Sequence, residues 1–139
     1  MPEFELSTRV FIEDTDAGGI VYYVNYLKYM ERARTEWLRD LGFDFASLQQ
    51  LNSLFVVKNA HVDYLAPAKM DDLLEVTASV AKIARTYIMF KQMVKREGMP
   101  LCEATIKVAC IDSQSMKPKR IAVELQSALQ QQVQIKEKT

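Results

Sequence analysis

The sequence has few of the residues on which most catalytic and metal sites depend. Its 139 residues include one histidine (His61), two cysteines and four glycines. One imidazole and two thiols cannot supply a four-ligand zinc site, and the glycines fit neither GxGxxG nor GxxxxGK[ST]. The pattern GxSxG is also absent, so a serine or cysteine nucleophile would depend on His61. Because His61 lies in an alternating strand pattern, we interpret it as structural and expect no metal site.

The two cysteines, Cys102 and Cys110, cannot pair with each other in the predicted structure. They fall in one predicted strand, where a rise of about 3.3 Å per residue separates them by about 26 Å. A disulfide needs Cα atoms within about 7 Å of each other. We therefore predict that both are small buried residues.

Charge and hydropathy are typical of a globular protein with one core. Apolar residues make up 49% and charged residues 26%, and 18 Lys and Arg balance 18 Asp and Glu. A zero net charge offers no basic excess for binding nucleic acid. The uncharged stretches 17–27 and 45–57 are shorter than the roughly 20 apolar residues that span a bilayer. Glu3 and Glu5 stand where a secretory signal needs basic residues, so we expect one cytoplasmic domain over residues 1–139, without a membrane span.

Hydrophobic periodicity predicts a strand, one long helix and then a series of strands. Asn25 is a good N-cap for the long helix and Gly42 a good stop. The later strands alternate apolar and polar residues, and Gly98 with Pro100 predicts a turn between two of them. The predicted helices are 25–41, 45–51 and a C-terminal helix and tail at about 124–139, and the predicted strands are 4–12, 54–64, 74–80, 87–95, 102–110 and a short 121–123.

This order of elements predicts an α+β fold in which an antiparallel sheet curls around the long helix. Strands joined by short turns form an antiparallel sheet that buries one face. Leu27, Tyr29 and Leu38 lie outside the main apolar stripe of the helix, and a curled sheet would bury them. The edge strands would stay open to a partner subunit, so we expect an oligomer.

The acidic, glycine-bearing segment Glu13–Gly19 is the candidate for chemistry. A calcium loop beginning at Asp14 would place Gly18 and Asn25 at positions that need oxygen ligands, including a bidentate glutamate, so calcium is rejected. A carboxylate beside the free N–H groups of a helix start could attack a carbonyl or activate water while those groups hold the oxyanion. Alternatively, Asp14 and Asp16 only hydrogen-bond the turn and cap the helix, and the residues alone favour this alternative.

Three segments of the chain carry a family signature. They are RVFIEDTDAGGIVYYVNYLKYMERARTEWL (Arg9–Leu38), VDYLAPAKMDDLLEV (Val62–Val76) and MKPKR (Met116–Arg120). Together they resemble the hotdog-fold acyl-CoA thioesterases of the YbgC and 4-hydroxybenzoyl-CoA thioesterase type, over roughly residues 6–120. The resemblance implies one long helix wrapped by an antiparallel sheet of about five strands. It also implies dimers with active sites at the subunit interface, and a homotetramer formed as a dimer of dimers.

The resemblance implies a role for each residue of the acidic turn. The family's catalytic aspartate, in the pattern D-x-x-G-[IV]-V, corresponds to Asp16, and Asp14 is then an accessory residue that shapes the turn. The oxyanion donor corresponds to the backbone N–H of Tyr23, with the N–H of Gly18 or Gly19 as a further donor.

Two positions depart from the YbgC branch of the family. Tyr23 stands where many members carry histidine, and Ile12 stands where tyrosine is frequent. The 4-hydroxybenzoyl-CoA branch also has an aromatic residue at the position of Tyr23. The backbone role is therefore kept, whereas histidine-assisted proton transfer is not.

The resemblance further implies a binding site for coenzyme A. Its phosphates need basic residues, although a solvated strand end is the alternative interpretation of the basic run in MKPKR. Val21 and Tyr22 are expected beside the substrate, whereas for Asp63, Tyr64 and Pro67 we favour a structural role over a positioning one. The first basic candidates are Lys117, Lys119 and Arg120, and the second are Arg85 and Lys82.

These expectations predict a hydrolase of acyl-CoA thioesters that needs no cofactor, coenzyme A being part of the substrate. An acyl carrier protein is the alternative carrier of the thioester. The alternative function is a non-catalytic hotdog module that binds acyl-CoA or acyl carrier protein, and the presence of Asp16 favours the enzyme. A dehydratase or isomerase ranks last because it would need a histidine near the helix.

Overall fold

The computed structural model describes the backbone of residues 3–138 and the side chains of residues 3–133. In this part of the chain one sheet packs against a helix of 16 residues, with a short 3-10 turn, Ile12–Asp14, ahead of that helix. The strands are β1 (Phe4–Arg9), β2 (Ser53–Tyr64), β3 (Leu73–Ile83), β4 (Tyr87–Arg96) and β5 (Met99–Asp112), and the helices are α1 (Asn25–Asp40), α2 (Phe45–Gln50) and α3 (Val123–Lys138).

The five strands form an antiparallel sheet in the order β1-β3-β4-β5-β2. Strands β3, β4 and β5 follow one another as hairpins, and β1 and β2 are the edges. Glu97 and Gly98, both with positive φ, complete the turn between β4 and β5. The prediction that Pro100 belongs to this turn is therefore wrong, since a two-residue turn is already closed before it and Pro100 lies within β5.

The sheet curls around α1, as the burial of the helix shows. Tyr29 and Leu38 are buried although they lie outside the main apolar stripe, and Leu27 is half-buried against the core. The ring of Trp37 packs edge-on against Phe90 of β4 with 6.1 Å between centroids. Contacts on both flanks of the stripe confirm the predicted hotdog arrangement.

The predicted strand at 121–123 is wrong. Ile121 is buried, but the chain becomes helical at Val123 instead of pairing with the sheet. Ile121, Leu125 and Leu129 recur every four residues and are all buried. Their spacing is that of one helix face. The segment 121–123 alone is too short to show this spacing, which is why its residues by themselves predict a strand.

The C-terminal helix α3 covers the outer face of the sheet at β3. Thr77 and Ser79 alternate with residues that face α1, and yet both are buried. Because α3 is the helix that contacts β3 from the other side, it accounts for this burial. Thr139, the end of the predicted tail, lies outside the described residues. Within residues 3–138, no helix has the length and hydropathy needed to cross a bilayer.

An ion pair fixes the connection between β2 and β3. Arg96 Nη1 donates to Asp72 Oδ2 at 2.6 Å, and the same oxygen accepts the N–H of Lys69 at 2.8 Å. Burial disfavours the carboxylate, but the Lys69 N–H and the Arg96 guanidinium outweigh it and lower the pKa of Asp72. The connection is thereby held in place, and the loop between β1 and α1 packs against it.

The lowered pKa of Asp72 predicts how the stability of the fold depends on pH. A carboxylate whose pKa is lower in the folded state than in the unfolded state stabilises the folded state at pH values above its ordinary pKa of 3.8. This contribution is lost as the pH falls through the folded-state pKa. We expect Asp72→Asn to lower the free energy of unfolding by about 1 kcal/mol at neutral pH and by much less in acid. Urea unfolding at one protein concentration, across pH, measures this difference. A difference that does not change with pH would contradict the assignment.

Candidate active site

Asp14 holds the loop between β1 and α1 together. Its Oδ2 accepts the N–H of Phe11 at 2.9 Å, and its backbone oxygen accepts the N–H of Tyr22 at 3.0 Å and the side-chain amide of Asn25 at 2.8 Å. The prediction that Asn25 caps α1 is therefore wrong: Val24 is the cap residue, and the Asn25 side chain turns back to the loop. Asp14 shapes the turn, as the accessory role requires.

The loop rests on the buried ring of Tyr29. Within the described residues the Tyr29 hydroxyl has no hydrogen-bond partner of normal geometry, and it lies next to the carboxyl group of Asp14. Burial, reinforced by the negative charge of Asp14, raises the pKa of Tyr29. Tyr29 therefore keeps its proton and packs as an uncharged ring beside Asp14.

Asp16 presents one carboxylate oxygen at the surface of the turn. Its Oδ1 accepts the N–H of Gly18 at 2.9 Å, and its backbone oxygen accepts the N–H of Gly19 at 3.0 Å. Gly19 has a φ of 78°, which a glycine adopts without strain. Among the described residues nothing bonds to Oδ2 of Asp16. The Gly18 N–H therefore orients the carboxylate and the Gly19 N–H closes the turn on the Asp16 backbone oxygen, so neither is free for a substrate in this structure.

The backbone N–H of Tyr23 is available at the start of α1. The preceding N–H, that of Tyr22, is bonded to Asp14, whereas the N–H groups of Tyr23 and Val24 have no acceptor within the described residues. Such groups carry the positive end of the helix dipole. The hydroxyl of Tyr64 donates to the backbone oxygen of Tyr23 at 3.2 Å and so steadies the next peptide, between Tyr23 and Val24.

Tyrosine rings form an apolar pocket beside Tyr23. The ring of Tyr64 lies 6.0 Å from that of Tyr23 and 5.6 Å from that of Tyr26, and the ring of Tyr22 lies 5.0 Å from that of Tyr23. The side chain of Val21 is buried in the pocket wall. The pocket has a volume of about 260 Å³, and its lining is Ile20, Val21, Tyr23, Tyr26, Tyr64, Leu65, Ala66 and Pro67.

Tyr64 has a larger part in this site than its sequence pattern indicated. Its hydroxyl holds the Tyr23 peptide, and its ring and Pro67 line the pocket. Asp63, by contrast, points to the outer face, where its carboxylate lies 3.6 Å from His61. The alternation of strand residues separates the two, and no local sequence signal connects Tyr64 with Tyr23, 41 positions away.

The structure does not bring the predicted basic residues to Asp16 within one subunit. The loop of Asp16 packs on the β2–β3 connection, which bonds to Leu101 at the start of β5. The N–H of Lys119 instead donates to Cys110 at the end of β5, and its side chain donates to the backbone oxygen of Leu51. From Leu101 to Cys110 the strand extends about 30 Å. Lys117, Arg120, Arg85 and Lys82 also lie at this far end of the sheet.

The two cysteines are unsuited to nucleophilic chemistry. Cys102 and Cys110 are free and buried on the inner face of the sheet, as predicted. Burial raises the pKa of the Cys102 thiol to about 12, so it stays protonated at neutral pH. Within the described residues, His, Cys, Asp and Glu side chains form no cluster that could hold a metal ion. The acidic turn thus remains the candidate site.

Comparisons with known proteins agree with this fold. The family model described as the thioesterase-like superfamily matches residues 10–131. The acyl-CoA thioesterase YbgC of Haemophilus influenzae is 45% identical over 126 residues, which cover 90% of this chain and 93% of the relative. The acyl-CoA thioester hydrolase YbgC of Escherichia coli is 41% identical over 119 residues, which cover 85% and 89%.

Solved structures show the same architecture. A probable thioesterase from Bartonella henselae superposes with a TM-score of 0.82 at 29% identity, covering 86% of this chain and 99% of that one. A hypothetical protein from Aquifex aeolicus superposes with a TM-score of 0.85 at 31% identity, covering 91% and 98%. Sequence and structure therefore agree: the chain belongs to the thioesterase-like superfamily and is a hotdog-fold hydrolase of the thioesterase class.

Proposed function

We propose that the protein hydrolyses acyl-CoA thioesters to free acid and coenzyme A, with Asp16 as the catalytic carboxylate. The observation that carries this proposal is the free Oδ2 of Asp16 in the same short loop that leads to the unpaired N–H of Tyr23. The names of the Haemophilus influenzae and Escherichia coli relatives support the substrate class.

The chemistry needs little more than these two groups. Oδ2 of Asp16 removes a proton from water that attacks the thioester carbon, or attacks that carbon itself and is released by water afterwards. The N–H of Tyr23 stabilises the negative charge on the carbonyl oxygen. The C–S bond then breaks, and coenzyme A leaves as a thiolate, which needs little help from a general acid. Gly18 contributes by orienting the carboxylate and Gly19 by closing the turn on the Asp16 backbone oxygen, and no metal or cofactor takes part.

A second copy of the chain would complete the site. Strand β2 is an edge, and its exposed apolar residues Val57 and Tyr64 are suited to a partner. Antiparallel pairing of two β2 strands about a two-fold axis places the start of one β2 next to the end of the other. Lys119 is bonded to the residues just before β2, so this pairing moves the far-end basic residues of one copy toward Asp16 of the other.

Binding of coenzyme A then divides between the two copies. We propose that Lys117, Lys119, Arg120 and Arg85 of the second copy bind the phosphates, and that Val21 and Tyr22 contact the rest of the substrate. The assembly we propose is a cytoplasmic homotetramer built from two such dimers. We propose thioesters of free coenzyme A as the substrates. Thioesters of acyl carrier protein are the alternative, and hydrolysis of the two can be compared directly.

Substitution of Asp16 tests the catalytic role. Asp16→Asn keeps an oxygen that can accept the Gly18 N–H but removes the base and nucleophile. We expect kcat/KM for acyl-CoA hydrolysis to fall at least about 100-fold, which corresponds to about 2.7 kcal/mol of transition-state stabilisation, with acyl-CoA binding retained. Thiol release measured with a thiol-reactive dye follows the reaction, and Asp63→Asn on the outer face is the control. An Asp16→Asn enzyme with more than about a tenth of wild-type kcat/KM would refute the assignment.

Removal of one N–H group tests the oxyanion donor. Tyr23→Pro deletes a backbone N–H that lies ahead of α1 and has no acceptor among the described residues, so no helix hydrogen bond is lost. Tyr23→Ala deletes the ring and keeps the N–H. We expect kcat to fall about 100- to 1,000-fold in Tyr23→Pro and far less in Tyr23→Ala. Steady-state kinetics of both variants, with circular dichroism to check the fold, make the comparison. Equal losses in the two variants would show that the ring, and not the N–H, is required.

A further inference from the structure

A groove runs along the side of α1 that faces β2. It begins at Val24, the residue after Tyr23, and ends at Leu38. Its upper part has a volume of about 250 Å³ and its lower part about 390 Å³. Glu31, Arg34 and Val57 line both parts, so the two cavities adjoin, and we call them together the α1 groove. Apolar side chains make up most of its walls, Phe90 among them.

Arg34 is a buried cation in this groove without a carboxylate partner. The residue is 8% exposed. Its Nη1 donates to the side-chain oxygen of Gln92 at 2.8 Å, and its guanidinium lies 5.9 Å from the centre of the Phe90 ring. Among the described residues, no carboxylate oxygen lies within 4.0 Å of it. A buried charge with only an amide for a partner is costly, so this arrangement leaves room for an anion.

The surroundings of Arg34 fix its position and leave donors free. The side-chain nitrogen of Gln92 donates to the backbone oxygens of Met30 at 2.9 Å and Thr77 at 3.1 Å, so Gln92 cannot turn away. A guanidinium has five N–H donors in a rigid plane, and the bond to Gln92 uses one. Glu31, one turn earlier, is exposed to solvent, and its negative charge partly offsets the effect of burial, which lowers the pKa of Arg34. No carboxylate oxygen of Glu31 lies within 4.0 Å of the guanidinium.

We infer that the α1 groove holds the acyl chain and that Arg34 binds a carboxylate at the far end of that chain. The preferred substrates would then be coenzyme A thioesters of medium-length dicarboxylic acids. Arg34 follows Asn25, the first residue of α1, by nine positions, which is about 14 Å along the helix axis at about 1.5 Å per residue, and Tyr23 lies two residues before Asn25. The thioester at the Tyr23 N–H and the carboxylate at Arg34 would thus lie at opposite ends of the groove. This inference rests on the proposed function.

Matched pairs of thioesters test the inference. We would compare adipyl-, suberyl- and sebacyl-CoA with hexanoyl-, octanoyl- and decanoyl-CoA, each pair equal in chain length and different only in the terminal group. A charge-assisted hydrogen bond in a buried site strengthens binding by about tenfold or more. We therefore expect kcat/KM of the wild-type protein to favour the acid-ended member of at least one pair by about that factor.

Variants of Arg34 locate the effect. Arg34→Met should abolish the preference for acid-ended substrates while hydrolysis of the methyl-ended ones continues, and Arg34→Lys should keep part of it because the charge remains. Arg39→Met, which removes an exposed charge from the same helix, should leave the preference unchanged. Thermal unfolding shows whether each variant is folded. If Arg34→Met does not fold, the substrate preferences of the wild-type protein and of Arg34→Lys still test the inference.

The outcomes separate this inference from the proposed function. Equal hydrolysis of both members of every pair by the wild-type protein would overturn the inference and leave the thioesterase proposal standing. A preference for acids that survives in Arg34→Met would overturn the role of Arg34. Loss of dimers in Arg34→Met without any substrate preference would show that a second copy supplies the missing carboxylate instead. No hydrolysis of any thioester would refute the proposed function itself.

Discussion

The candidate active-site turn depends on the hydrogen bonds that Asp14 makes. With its carboxylate and its backbone oxygen, this residue ties the end of β1, the peptide of Tyr22 and the side chain of Asn25 into one unit. The N–H groups and the side-chain amide that bond to Asp14 are no longer available to bind the substrate. Among the described residues, one oxygen of Asp16 and the N–H groups of Tyr23 and Val24 stay unbonded, and our account assigns the chemistry to Asp16 and the N–H of Tyr23.

The rest of the fold supplies the support for this turn. Tyr29 lies beneath the loop, Tyr64 holds the Tyr23 peptide, and the Arg96–Asp72 ion pair fixes the connection against which the loop packs. These contacts come from α1, β2, β4 and the β2–β3 connection, so the sheet must be wrapped around the helix before the site can form. A rigid surrounding of this kind is what pre-organised donors require.

Most of the fold could be predicted from the sequence because α1 and the long strands carry clear periodicity. What failed was local: the segment 121–123 was too short to distinguish a strand from the first turn of α3, and Asn25 was assigned to the helix cap although its side chain bonds to Asp14. Contacts between distant segments, such as Tyr64 with Tyr23 and Arg34 with Gln92, leave no periodic signal. The distance between the basic segment at 117–120 and Asp16 likewise depends on the length of β5.

The central claim is that Asp16 and the Tyr23 N–H act on one thioester. A crystal structure with a non-hydrolysable acyl-CoA analogue, in which a methylene group replaces the thioester sulfur, tests it most directly. The account predicts that the carbonyl oxygen accepts a hydrogen bond from the N–H of Tyr23 and that Oδ2 of Asp16 faces the carbonyl carbon, directly or through one water. An analogue bound with its carbonyl group away from both would contradict the account.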